Sequence, residues 1–87
     1  MGRFRVEYAR KVEKQLGTLD RQIAVRVVEA IDSLADNPRP AGCKAMQGQQ
    51  AYRIRVADKY RVIYEIHDDA VLVLILKVGH RREVYDR

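Results

Sequence analysis

Three alternating segments in the second half of the chain constrain its fold more than any other feature. Residues 51–56, 59–66 and 70–78 place apolar side chains at every second position, and the short sequences ADK and HDDA separate them. A period of two is typical of half-buried β-strands, and connectors of turn length join strands that run antiparallel. The sequence therefore predicts a three-stranded antiparallel meander.

The residues before the meander predict one further strand and two helices. Apolar and charged residues alternate over 3–8, as in a strand, and a short helix is predicted over 9–16, where Gly17 ends it. Thr18 or Asp20 can cap a second helix, whose apolar stripe consists of Ile23, Val27, Ala30, Ile31 and Leu34. The prolines and glycine of DNPRPAG (36–42) end that helix. We expect one domain over residues 1–87, a two-layer α+β fold of order β-α-α-β-β-β. Its mainly antiparallel sheet should carry a helical hairpin on one face.

The two faces of the predicted sheet differ in chemistry. Since side chains alternate between faces, the helices are expected to cover the Tyr, Ile and Leu sets: Tyr52, Ile54, Val56, Tyr60, Val62, Tyr64, Ile66, Leu72, Leu74, Leu76 and Val78. The opposite face then carries Arg53, Arg55, Arg61 and Lys77, joined by Arg81 if the alternation continues past Gly79. Like charges on neighbouring strands destabilise a sheet, and guanidinium groups bind phosphate oxygens well. We interpret this face as a nucleic-acid site; the alternative is a solvated surface whose arginines pair with Asp58, Glu65 or Glu83.

The composition narrows the class of protein. The net charge is +5, with a pI near 9.7, which suits a polyanionic partner. A single cysteine, Cys43, excludes an internal disulfide, and with two histidines it offers no zinc site, so no metal or other cofactor is expected. Cys43 is interpreted as a small structural residue. The longest apolar run, residues 70–76, is too short to span a membrane, and no signal-peptide pattern opens the chain. A cytoplasmic protein is expected.

The sequence YRIRVADKYRVIYEIHDDAVLVLILKVGHRREVYDR (52–87) closely resembles the C-terminal half of the RelE/ParE superfamily, the toxins of type II toxin–antitoxin pairs. The N-terminal strand, the helix end LADNPRP and the segment KAMQG (44–48), similar to the family's Lys-x-Leu-x-Gly turn, extend the resemblance over the chain. For the RelE branch, the resemblance implies a metal-independent mRNA endonuclease that works in the ribosomal A site. The ribose 2′-hydroxyl attacks the adjacent phosphate and leaves a cyclic phosphate and a 5′-hydroxyl.

The same resemblance implies a set of catalytic residues. The positions that match the RelE pattern are Arg53, Arg55, Arg61, Arg81 and Tyr85. The two positions on the first meander strand are lysines in the best-known ribosome-dependent members, and an arginine almost never loses its proton. Tyr85 is therefore expected to act as the base or to orient the 2′-hydroxyl, since nearby guanidinium groups would lower the pKa of a phenol. Arg55 and Arg61 would stabilise the phosphate, and Arg81 would lie on the leaving-group side.

Several other residues near the predicted site have more than one possible role. Lys77 and Arg82 are expected to bind RNA beside Arg53, Arg55 and Arg61, and Arg82 could take the role given to Arg81, because the segment from Gly79 to Tyr85 is short. Tyr85 lies two residues from the end of the sequence, so no room is expected after it for the C-terminal helix that some relatives carry. His80 could transfer a proton, although a structural role in a turn is favoured, and His67 is expected to be solvated. Glu83 could be a base or could position Arg61 or Arg81.

Three functions are compared. The favoured one is a ribosome-dependent mRNA interferase, neutralised by a cognate RelB-like antitoxin. The alternative is a ParE-like toxin that inhibits DNA gyrase by protein binding, which would not need the complete basic set or Tyr85. A third is a non-catalytic RNA-binding or repressor module, which would tolerate loss of Tyr85. The sequence has no helix-turn-helix pattern, so direct DNA binding by this chain alone is not expected, and neither is a membrane partner.

Overall fold

The protein is built on a five-stranded sheet of order β1-β5-β4-β3-β2. A computed structural model describes residues 3–46 and 50–85, without the side chains of residues 83 and 85. The elements in chain order are β1 (Arg5–Tyr8), α1 (Arg10–Gly17), α2 (Arg21–Asp36), β2 (Lys44–Ala45), β3 (Ala51–Val56), β4 (Tyr60–His67), β5 (Leu72–His80) and α3 (Arg81–Tyr85). The predicted α+β class and the order of the main elements are confirmed. No helix in the described ranges has the length and apolar character needed to cross a membrane.

The pairing of the strands confirms the meander and extends it at both edges. β3, β4 and β5 are antiparallel neighbours, as predicted. β1 pairs with β5 in parallel, with Arg5 opposite Leu72, and β2 pairs with β3 antiparallel, with Lys44 opposite Arg53. The two outer pairings join segments that are distant in sequence or very short, so the alternation of residues does not predict them.

Local interactions set the ends of the helices. The hydroxyl of Thr18 donates a hydrogen bond of 2.7 Å to the carbonyl of Gln15, so this residue closes α1. Asp20 occupies the N-cap position of α2, where its side chain makes no capping hydrogen bond. Of the two residues predicted to cap α2, Asp20 thus occupies the N-cap position, while Thr18 lies at the C-terminal end of α1.

The hydrophobic core lies between the two helices and one face of the sheet. Val12 of α1 and Val27 and Ile31 of α2 are fully buried there. The buried strand residues of this core are Ile54, Val56, Val62, Tyr64, Ile66, Val73, Ile75 and Val78. Tyr52 and Cys43 are partly buried against the core, in agreement with the structural roles predicted for them.

The first half of β5 faces the opposite way from the prediction. Ile63 pairs with Lys77 but Tyr64 pairs with Ile75, so Leu76 is an extra residue in β5 and forms a β-bulge. The bulge inverts the alternation, so that Val73 and Ile75 enter the core with 0% exposure. The prediction that Leu72, Leu74 and Leu76 face the helices is wrong for this reason, whereas the predicted positions of Lys77 and Val78 are correct.

Two contacts anchor the loop between α2 and β2. The hydroxyl of buried Tyr64 donates a 2.7 Å hydrogen bond to the carbonyl of Pro38, and Arg39 forms a two-pronged ion pair with Asp68 at 2.9 and 3.2 Å. The guanidinium of Arg39 lowers the pKa of the Asp68 carboxyl. Gly42 then adopts a φ of 90°, which favours glycine, and leads the chain into β2. The loop thus fixes β2 against the edge of β3.

Candidate functional site

Basic side chains form two rows across the face of the sheet that α1 and α2 leave open. Residues paired across strands share a face, so Lys44, Arg53, Ile63 and Lys77 form one row from β2 to β5. Arg55 and Arg61 form the next row, which ends at Gly79. We call Lys44, Arg53, Arg55, Arg61 and Lys77 the basic face. The predicted open-face arginines are therefore neighbours, and the charges of Arg55 and Arg61 lie directly opposite each other.

A groove on the basic face collects three of the five predicted catalytic residues. It has a volume of about 310 Å³ and is lined by Gly42, Lys44, Arg53, Ile54, Arg55 and Arg61. β2 pairs with β3 only as far as Arg53, so the remainder of that edge is left without a strand in the described part of the chain. Lys44 was not among the residues selected from the sequence. Its signal there is its place in KAMQG, of which residues 47 and 48 lie outside the described part.

The β3–β4 turn orients Arg61. Its Nη1 atom donates hydrogen bonds to the carbonyl oxygens of Asp58, at 2.9 Å, and Tyr60, at 3.1 Å. The turn is tight, because Ala57 and Asp58 have φ values of 50° and 66° in the left-handed region. Arg61 is half-buried, whereas Arg55 is exposed. The two turn carbonyls partly offset the repulsion between the positive charges of Arg61 and Arg55. They bind the Nη1 atom of Arg61, whose side chain also lines the groove, where an anion can reach it.

The short helix α3 lies against the open face and borders the basic face. Val84 is buried there with Ala51 and Ile63, and Met46 packs against the same small cluster. The ammonium group of Lys77 donates a 3.2 Å hydrogen bond to the carbonyl of Val84, near the end of the helix. α3 is a helix of five residues that ends at Tyr85; it was not predicted from the sequence, and it buries one apolar side chain, Val84.

The other predicted site residues lie around α3. The backbone N–H of Arg81 donates to the carbonyl of Lys59 at 2.8 Å, which holds the start of α3 beside the β3–β4 turn. The side chains of Arg81 and Arg82 are exposed, and neither is among the residues that line the basic groove. Tyr85 directly follows Val84 in the chain. Its side chain and that of Glu83 lie outside the described part, so the roles expected for them stay predictions.

His80 lies on the other side of the sheet from the basic face. It pairs with Tyr60, and the two rings meet edge to face with centroids 5.5 Å apart. Its Nδ1 atom accepts a 3.2 Å hydrogen bond from the backbone N–H of Arg82, so the ring caps the start of α3. His80 and Arg82 line a separate groove of about 440 Å³ with residues of the α1–α2 loop. These contacts agree with the structural role favoured for His80.

His67 is less exposed than predicted. Its Nε2 atom lies 2.8 Å from Oε1 of Glu65, and the two side chains are 37% and 33% exposed. The carboxyl groups of Glu65 and Asp58 were considered as partners of the arginines on the open face. In the structure, the Glu65 carboxyl contacts His67 instead, and Asp58 contacts Arg61 through its backbone carbonyl.

The fold and the basic face define a class of protein, a small α+β protein with a cationic surface on its sheet. Comparison with known proteins agrees with this class. A family model described as the ParE toxin of type II toxin–antitoxin systems matches residues 6–85. The chain belongs to the RelE/ParE superfamily of type II toxin–antitoxin toxins. The match covers both the helical hairpin and the basic face.

The individual relatives belong to the RelE branch. A RelE toxin of Methanocaldococcus jannaschii is 31% identical over 87 residues, which cover 95% of this chain and 96% of the relative. The mRNA interferase toxin RelE of Escherichia coli is 32% identical over 83 residues, 91% of this chain and 83% of the relative. The RelE–RelB complex of Pyrococcus horikoshii has a toxin chain that superposes with a TM-score of 0.79 at 30% identity, covering 90% of this chain and 94% of that one. These relatives favour the RelE branch over the ParE alternative.

Proposed function

We propose that this chain is an endoribonuclease that cleaves mRNA in the ribosomal A site and is held inactive by a cognate RelB-like antitoxin. The observation that carries the proposal is the groove in which Arg53, Arg55 and Arg61 lie side by side. It is supported by the similarity to a toxin named mRNA interferase. Cleavage by the 2′-hydroxyl needs no external nucleophile, so the protein has to position the RNA, stabilise charge and move protons.

The arginines of the groove suit the charge that develops on phosphorus. In the reaction the 2′ oxygen bonds to phosphorus, the bond from phosphorus to the 5′ oxygen breaks, and the non-bridging oxygens gain negative charge. The guanidinium groups of Arg55 and Arg61 can donate paired hydrogen bonds to those oxygens. Arg53 extends the clamp along the backbone, and Arg81, at the start of α3, neutralises charge on the leaving-group side.

Tyr85 is proposed to receive or orient the proton of the 2′-hydroxyl. Since α3 is anchored on the open face through Val84, the following residue is carried to the margin of the basic face. A phenolate among guanidinium groups can take a proton. The arginines themselves cannot do so, because a guanidinium keeps its proton at all accessible pH.

An antitoxin can inactivate this arrangement by covering one surface. The basic face is cationic and α3 is a single short helix at its border, so an acidic segment that folds upon it would block the groove. The P. horikoshii relative was solved as a complex of RelE with RelB. We infer a partner of the same kind for this chain.

The test is primer extension on mRNA from cells that express the chain for a short pulse. The wild-type protein should give cuts at codon positions that require translation, and Tyr85→Phe and Arg61→Ala should reduce them by about 10²–10³-fold, the usual effect of removing one transition-state contact. Arg10→Ala, on the exposed side of α1, is the matched control and should cut like the wild type.

The match to the ParE family model makes gyrase inhibition the second candidate. It predicts growth arrest with intact mRNA, equal in the wild type and in the Tyr85→Phe and Arg61→Ala variants, together with loss of DNA supercoiling. That combination would contradict the nuclease proposal.

A further inference from the structure

We propose that Lys44 is a further catalytic residue, the general acid that protonates the departing 5′ oxygen. The inference rests on the proposed endoribonuclease function and assigns the second of its two proton transfers, the one not given to Tyr85. Lys44 stands outside the residues selected from the sequence, and its position emerges from the pairing of β2 with β3.

The position of Lys44 is fixed by the loop that precedes it. Gly42, with its φ of 90°, turns the chain into β2, and the Pro38 and Arg39 contacts hold the loop against the sheet. Lys44 then lies directly opposite Arg53 and lines the same groove as Arg55. Its side chain is exposed, so the ammonium group can reach a backbone phosphate held by the arginines.

Lys44 lines the groove, and α3 lies beside the basic face. Met46 has the same parity as Lys44 and packs with Val84 in the small cluster below α3. The strand that supplies the lysine and the helix that carries Tyr85 therefore meet at one cluster. Attack of the 2′ oxygen and departure of the 5′ oxygen occur on opposite sides of phosphorus, so the group that protonates the leaving oxygen has to be a different one from Tyr85.

Protonation of the departing oxygen needs a group in the groove that can release a proton. When the bond from phosphorus to the 5′ oxygen breaks, the electron pair stays on oxygen, and this alkoxide must take a proton. Among the six residues that line the groove, Lys44 is the one whose charged group can release a proton, because the others are arginines, glycine and isoleucine. The neutral amine then recovers its proton from water after the product has left, so the cycle is balanced.

Two other groups that can transfer a proton lie outside the groove. Lys77 is not among its lining residues, and its ammonium group donates to the carbonyl of Val84. His80 lies on the opposite side of the sheet, where its ring contacts Tyr60 and caps α3. Their contacts leave Lys44 as the donor that the described part of the groove provides.

The test compares two substrates on ribosomes programmed with a short mRNA. One has a normal 5′ oxygen at the cleaved position, and the other has sulfur there, because a thiolate leaves without being protonated. Lys44→Arg keeps the positive charge but cannot donate the proton. It should cleave the oxygen substrate about 10²–10⁴-fold more slowly, the usual range for general acid catalysis, and the sulfur substrate at nearly the wild-type rate.

Lys11→Arg, at an exposed position of α1, is the matched control and should leave both rates unchanged. Normal cleavage of the oxygen substrate by Lys44→Arg would overturn the assignment and leave the nuclease function intact. A loss that the sulfur substrate does not restore would also overturn it, since Lys44 would then act in binding or structure. If the wild type cleaves neither substrate, the proposed function fails as well.

Discussion

The two faces of the sheet obey different physical rules although they share the same strands. On the helix-covered face, residues such as Val62, Val73 and Ile75 are fully buried and form one continuous core. On the open face, the buried apolar residues of the described part form a small cluster below α3, and the basic face lies beside it. Burial of apolar area stabilises the first face, whereas opposed like charges such as Arg55 and Arg61 destabilise the second by about 0.2–1 kcal/mol.

The difference between the two faces separates the residues that determine stability from those that we expect to determine function. A residue of the helix-covered face can be changed only at the expense of the fold, because close packing leaves little space for another shape. Residues of the basic face contribute little to the core, so their substitution should affect activity while the free energy of unfolding changes slightly. The following predictions test this separation through the free energy of unfolding, from the largest effect to the smallest.

The largest effect is expected from adjacent residues of β5. Ile75 is fully buried against the helices, while Leu74 is half-buried on the opposite face. Ile75→Ala should lower the free energy of unfolding by about 2–5 kcal/mol, through lost burial and the cavity that remains, and Leu74→Ala by about 1 kcal/mol. Urea denaturation measures both. Equal losses, or a larger loss for Leu74→Ala, would contradict the orientation that the bulge at Leu76 produces.

A smaller effect is expected where the core holds a polar group. Tyr64→Phe removes the hydrogen bond to the buried carbonyl of Pro38 and should lower the free energy of unfolding by about 1–3 kcal/mol, because that carbonyl loses its partner. Burial, the largest cause, raises the pKa of Tyr64 above the ordinary value of 10.0.

The raised pKa also predicts a dependence on alkaline pH. Above pH 10 the phenol of the unfolded chain ionises while that of the folded protein stays neutral, so this contribution to stability is complete below pH 10 and is lost as the pH rises. Tyr64→Phe should therefore decline less steeply in stability between neutral and alkaline pH. Burial also raises the pKa of Tyr8, but Tyr8 is 37% exposed while Tyr64 is fully buried, so Tyr8→Phe should flatten the curve less than Tyr64→Phe. A Tyr64→Phe curve parallel to the wild-type curve would contradict the prediction.

The smallest effect is expected at Lys77. Its hydrogen bond to the carbonyl of Val84 joins a cation to the end of α3, an interaction worth about 0.3–1 kcal/mol. Lys77→Met should lower the free energy of unfolding by that amount and speed amide exchange in α3. Lys77 is not among the residues that line the groove, so the salt dependence of RNA binding should stay unchanged in this variant, whereas Arg55→Ala should reduce its slope by about 0.7. An equal reduction for Lys77→Met would instead support the RNA contact expected from sequence.

Much of the fold follows from local patterns. The period-two segments predict the meander, the helical stripe predicts α2, and the prolines after Asp36 predict where that helix ends. The faces of β3 and β4 are also correct, and they are the faces that place Arg53, Arg55 and Arg61 together.

The errors arise where a contact between distant residues decides the outcome. The bulge at Leu76 depends on the register with β4, so continuous alternation wrongly places Leu74 in the core. Lys44 lies in a strand of two residues, too short to show a period, and its place beside Arg53 becomes visible once that strand pairs with β3. The sequence thus predicts the site residues that lie on the long, regular strands β3 and β4, and misses the one that lies on β2.

The parallel pairing of β1 with β5 has a consequence for synthesis of the protein. Arg5 in β1 finds its partner Leu72 in β5, far along the chain, so the sheet cannot be completed while β5 is still inside the exit tunnel of the ribosome. Pairing between such distant segments is slow, because a long loop must first close. β3 and β4 can therefore pair before β1 finds its partner, and the complete sheet forms after β5 has left the ribosome.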